Sequence, residues 1–139
     1  MRLAKAILAS AVLGVLCLSI NQLLLAPARL VAPGGDEYYW TRLATQNYSW
    51  LSGALMVASA ALVAHKIGGN PVLIGFGTVA VFPLVSLAEA VVYRGSHNLL
   101  PFEIGIYILY SIPPIVGAWI GCMTKRRCRQ TVKGVSPKY

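Results

Sequence analysis

The sequence predicts an all-α integral membrane fold: a bundle of four transmembrane helices with both termini in the cytoplasm. Three observations predict it. Hydrophobic residues make up 57% of the 139-residue chain and charged residues only 12%, where an ordinary soluble domain carries roughly 25% charge. Four apolar runs of near-membrane length alternate with links that contain proline, glycine and charge. Twelve Lys and Arg stand against four Asp and Glu, a net charge of +8, and the cations are shared unequally among the links. So few polar side chains could not cover a water-facing surface. Mean hydropathy is correspondingly positive, +0.66.

The first run follows Arg2 and Lys5 and predicts a helix over about 3–26. A secretory signal would have a shorter apolar region, about 7–15 residues, before its cleavage site. Ala6, Ser10 and Gly14 recur every four residues, the small-residue spacing that lets two helices approach closely in lipid. Asn21 and Gln22 interrupt the far end of this run.

Residues 27–47 are the longest polar link before the tail. Pro27, Pro33, Gly34 and Gly35 break helix there, and Tyr38-Tyr39-Trp40 has the composition of an interfacial aromatic anchor. Two readings fit: a short interfacial helix over 36–46, capped by Asp36, or a loop packed over the bundle.

The second run predicts a helix over about 48–65, rich in Ala, Ser and Gly. Side chains that small belong against protein more than against lipid, which makes this helix central. Lys66 to Pro71 is a tight turn, so the third helix, about 72–93, is an antiparallel neighbour. Pro83 lies in its middle and is expected to bend it. The fourth helix, about 102–123, carries Pro113-Pro114, a second expected kink, and the close-packing pair Gly117 and Gly121. Residues 1–124 then form the transmembrane domain and 125–139 a basic cytoplasmic tail.

Charge sets the orientation. With both ends inside, Arg2, Lys5, Lys66 and the six Lys and Arg after residue 124 face the cytoplasm, while Arg29, Arg42 and Arg94 face out. Cations in short loops mark the cytoplasmic side, so the asymmetry decides for this topology. The same charge in a soluble chain would suggest nucleic acid; beside membrane spans it is a topology signal, and no nucleic-acid partner is expected.

Placing polar residues by depth yields the candidate site. Asn21 lies about 7 Å inside the outer end of the first helix, and Glu89 about 6 Å inside that of the third. Glu103, Tyr107 and Tyr110 share a face of the fourth helix at i, i+4 and i+7, and Ser86, Glu89 and Tyr93 share one of the third at i, i+3 and i+7. Arg94 and His97, in the link that follows, complete an outer-leaflet polar cluster. An ionisable group inside a membrane costs a few kcal/mol, about 2.5–3.5 on insertion scales, and so marks a functional candidate. The competing reading is a structural latch that ties the bundle together.

No complete catalytic set is apparent. His65 and His97 fall on opposite sides of the membrane, and no serine has a His and an Asp at its own depth. Cys17, Cys122 and Cys128 fit neither a zinc spacing nor a disulfide framework. No cofactor or metal is expected, and an enzyme is the less favoured reading. The favoured function is an accessory or scaffold subunit of a larger membrane complex, with membrane lipids and other subunits or copies of itself as partners. The first alternative is a small oligomeric proton- or cation-coupled transporter or channel using Glu89. The second is a membrane-embedded enzyme or binder of a lipid or quinone. The expected location is the bacterial inner (cytoplasmic) membrane.

Overall fold

The computed structural model describes residues 2–25, 41, 45, 48–92 and 100–134, and every regular element among them is helical. Five helices follow in order: α1 (Arg2–Leu25), α2 (Trp50–Lys66), α3 (Pro71–Val79), α4 (Val81–Val92) and α5 (Leu100–Gly134). Two of them, through Leu3–Asn21 and Phe102–Lys125, are long and apolar enough to cross a membrane, and α3 with α4 makes a third if that bent pair is one span. The apolar α2 has 17 residues, about 26 Å of helix.

α2 and α3 start where the sequence supplies a cap. Ser49 precedes α2 in extended conformation and forms a reciprocal capping box with Ser52. Asn70 Oδ1 accepts from Val72 N–H at 2.9 Å to open α3, with Pro71 in its first turn. Between α2 and α3 the backbone passes through φ +78° at Gly68 and +143° at Gly69, a region in which a side chain would be strained.

The third predicted helix is two. α3 and α4 meet at Ala80 with a bend of 49°. The break lies three residues before Pro83, the residue expected to bend this helix. Proline disturbs the turn behind it: Pro83 has no N–H for the Val79 carbonyl, and its ring crowds that carbonyl. Ala80 N–H turns back to Gly77 O at 3.2 Å, a tighter turn that ends α3. The fourth predicted helix differs the other way. α5 continues to Gly134 rather than ending near residue 123, and it passes through Pro113 and Pro114 as one helix. Its last turns are built from Lys, Arg and Gln, good helix formers, whose cations also suit the negative end of the helix dipole.

Small residues set the helix crossings. A Cβ on Gly14 would stand 1.9 Å from the Thr78 carbonyl oxygen, and one on Gly77 would stand 2.3 Å from Ser10 Oγ; α1 and α3 thus touch backbone to backbone. A Cβ on Gly117 would meet Val57 O at 2.4 Å and one on Gly121 would meet Ala61 O at 2.1 Å, which brings α5 equally close to α2. Ala6 and Ser10 on α1 are fully buried with Ala60, Ala64, Ile74 and Ala118. α2 and α3 sit between α1 and α5, while α4, swung out by the bend, packs less extensively. The outer faces are apolar: Leu8, Leu24, Leu84, Val92, Phe102 and Leu109 are each more than half exposed. Buried hydroxyls bond back to their own helix, Ser10 to Ile7 O at 2.8 Å and Thr78 to Ile74 O at 3.0 Å.

Candidate functional site

The site grows from α4. Ser86 and Glu89 are three residues apart and share the helix face that turns inward; both are buried. Opposite them lies Thr41, also buried and in helical conformation. Its backbone N–H donates to Glu89 Oε2 at 3.1 Å, and its hydroxyl donates to the same oxygen at 2.5 Å. Thr41 Oγ1 lies 3.3 Å from Ser86 Oγ, and Ser86 Oγ is in turn hydrogen-bonded to the Tyr107 phenol of α5. Thr45 Oγ1 donates to the Thr41 carbonyl at 2.9 Å.

One proton per hydroxyl gives this chain a direction. Thr41 gives its proton to Glu89, so the Thr41–Ser86 contact must use the Ser86 proton. The Tyr107 phenol must then donate to Ser86. Tyr107, Ser86 and Thr41 therefore all point their protons toward the carboxylate.

Beneath the polar line is an aromatic layer. Phe82 stacks on Tyr107 with centroids 5.7 Å apart, and it meets Tyr48 edge-on at 5.8 Å. Tyr48 and Tyr110 stack face to face at 4.2 Å. A second polar node lies beside this layer: Ser49 Oγ donates to Asn21 Oδ1 at 2.6 Å, which ties the far end of α1 to the start of α2.

The structure thus joins Glu89 to Tyr107 through Thr41 and Ser86. Asn21 belongs to the Ser49 node, and Tyr110 to the aromatic layer. Glu103 sits in the first turn of α5, where a negative charge favours the helix dipole, one turn before Tyr107. Arg94 and His97 lie outside the described residues, as does most of the proposed interfacial segment 36–46, Thr41 and Thr45 excepted. Ala6, Ser10, Gly14, Gly117 and Gly121 lie at the helix crossings described above, away from the polar line.

Thr41 is the residue that the sequence did not single out. A threonine in a polar link carries no signal of a buried partner 48 positions further on. Among the described residues no three His, Cys, Asp or Glu side chains converge as a metal set. No protein-family model, no curated protein and no solved structure matches this chain.

Proposed function

We propose that the chain crosses the membrane four times, keeps both termini in the cytoplasm, and serves as an accessory or scaffold subunit of a larger membrane complex. In this reading α2 is the fourth crossing and α3 with α4 a single bent one. A 17-residue helix is a few residues short of the usual ~20, and local thinning of the bilayer or flanking residues make up the difference. Arg2, Lys5 and Lys66 on the tail side of the bundle give the orientation.

One observation carries the scaffold reading. The only acid buried on α4 engages both the N–H and the hydroxyl of Thr41, so Glu89 fastens the outer link to the bundle. Apolar faces left exposed on α1, α4 and α5 suit neighbouring subunits or lipid. Native mass spectrometry after gentle extraction tests this directly: the reading expects a hetero-complex, and a lone symmetric oligomer counts against it. Single cysteines placed at Gly34 and Ser136 are expected to label from opposite sides of sealed vesicles.

A second reading, a small proton-coupled transporter, draws on the directional line from Tyr107 through Ser86 and Thr41 to Glu89. Such a line can reverse if the carboxylate takes a proton. Purified protein in liposomes with a pH dye separates the two. The scaffold reading expects no proton flux; a flux that disappears in Glu89→Gln establishes the transporter instead.

A further inference from the structure

Among the described residues, one end of the molecule collects cations and no acids. Lys125 Nζ donates to the Lys66 carbonyl at 3.1 Å, and His65 Nδ1 lies 3.2 Å from Thr124 Oγ1, so α5 closes over the last turn of α2. A Cβ on Gly69 would lie 3.5 Å from Leu3 Cδ1, which brings the start of α1 to the same turn. Arg2, Lys5, Lys66 and Lys125 therefore belong to a single end of the bundle. From there α5 runs on to Gly134, nine residues or about 14 Å, through Arg126, Arg127, Arg129 and Lys133. Positions 125, 129 and 133 follow one another a turn apart along it. Of the described acids, Glu89 lies on α4 and Glu103 in the first turn of α5, at the other end of that helix.

Directly inward of the cations the surface is apolar: Leu3, Leu62, Ile120 and Met123 are exposed. Positive charge on the rim of an apolar belt is the arrangement that meets a lipid headgroup, with acyl chains below and phosphate beside the ammonium and guanidinium groups. A nucleic-acid surface has no use for the belt.

We propose that this end is a binding surface for anionic phospholipid, its helical extension holding several phosphodiester headgroups around the α2–α3 turn. The proposal rests on the membrane-spanning reading above. The extension stays within about 14 Å of Lys125, so much of it lies within a Debye length, about 8–10 Å, of the headgroup plane.

The test uses the full chain reconstituted in phosphatidylcholine doped with phosphatidylglycerol, with the lipids retained after extraction counted by mass spectrometry. The wild type is expected to carry phosphatidylglycerol well above its bulk share. The variant Arg126→Gln/Arg127→Gln/Arg129→Gln/Lys133→Gln, which keeps good helix formers, is expected to lose that enrichment by about tenfold. A second variant, Lys5→Gln/Lys66→Gln, is expected to lose part of it. Retention at the bulk ratio in the wild type, or enrichment unchanged in both variants, overturns the proposal. So does tight binding of a single-stranded oligonucleotide without lipid enrichment. Carbonate washing keeps the two readings apart: a chain that stays in the membrane without headgroup preference overturns only the lipid surface, and a chain that washes out overturns the spanning reading itself.

Discussion

Thr41 and Glu89 meet through two hydrogen bonds on one carboxylate oxygen, 3.1 Å from the backbone N–H and 2.5 Å from the hydroxyl. The contact joins a link residue to a helix 48 positions later in the chain. Both partners are buried, so water cannot replace either bond.

Thr41→Val removes the hydroxyl while conserving shape and the backbone donor. A side-chain hydrogen bond contributes about 0.5–3 kcal/mol, most where its acceptor is charged, and this variant is expected to lose that much unfolding free energy in micelles or bicelles. Glu89→Gln weakens the same bond from the other side. The two changes together are expected to cost less than their sum by about 0.5–3 kcal/mol. Strict additivity in a double-mutant cycle would mean that the contact contributes nothing to the fold.

Ser49 performs two tasks with one side chain. Its Oγ accepts from Ser52 N–H at 3.4 Å as the α2 cap and donates to Asn21 Oδ1 at 2.6 Å. Loss of an N-cap costs about 0.5–2 kcal/mol, and the buried Asn21 carbonyl would lose a donor as well. Ser49→Ala is therefore expected to destabilise more than Ser49→Asn, which restores a capping oxygen. Thermal unfolding followed by circular dichroism ranks the pair; equal melting temperatures would remove the cap from the account.

Much of the helical framework was legible because lipid leaves few options. Apolar runs punctuated by Pro71, Gly68-Gly69 and Pro101 make helices and turns from the sequence alone. The i, i+4 spacing of Glu103 and Tyr107 was equally visible. What sequence could not supply was the partner of Glu89, because pairing across 48 residues depends on how the link folds back and not on any local pattern. The break at Ala80 was displaced by three residues from its cause, since proline acts on the turn before it. The continuation of α5 to Gly134 was hidden because a run of Lys and Arg resembles a solvated tail while having ample helix propensity.

The glycines of this fold separate into filled and open positions, and alanine distinguishes them. At Gly14 and Gly121 an added Cβ would lie 1.9 and 2.1 Å from backbone oxygens of Thr78 and Ala61, which no rotamer change relieves. Gly14→Ala and Gly121→Ala are expected to push helices apart at a cost of about 1–3 kcal/mol each. At Gly105 nothing lies within 4 Å of the added atom, so Gly105→Ala is expected to be neutral or to gain up to about 1 kcal/mol in helix propensity. Denaturant titration of the three variants checks the order, and a costly Gly105→Ala would contradict it.

Ser86 stands in the middle of the hydrogen-bonded line, and its removal is expected to cost more than removal of the phenol at its end. Tyr107→Phe deletes a donor and its oxygen together; Ser86 keeps its own proton donated to Thr41, and only one of its acceptor sites is left without a partner. Ser86→Ala instead leaves the Tyr107 O–H in place, buried among Phe82 and its neighbours with its acceptor gone. An unsatisfied buried donor costs about 1–3 kcal/mol, whereas deleting a whole hydrogen-bonding group costs nearer the net value of a bond, about 1 kcal/mol. Unfolding free energies are therefore expected to fall in the order wild type, Tyr107→Phe, Ser86→Ala. The reverse order would show that the proton does not run from Tyr107 to Ser86, and with it the direction assigned to the whole line would be lost.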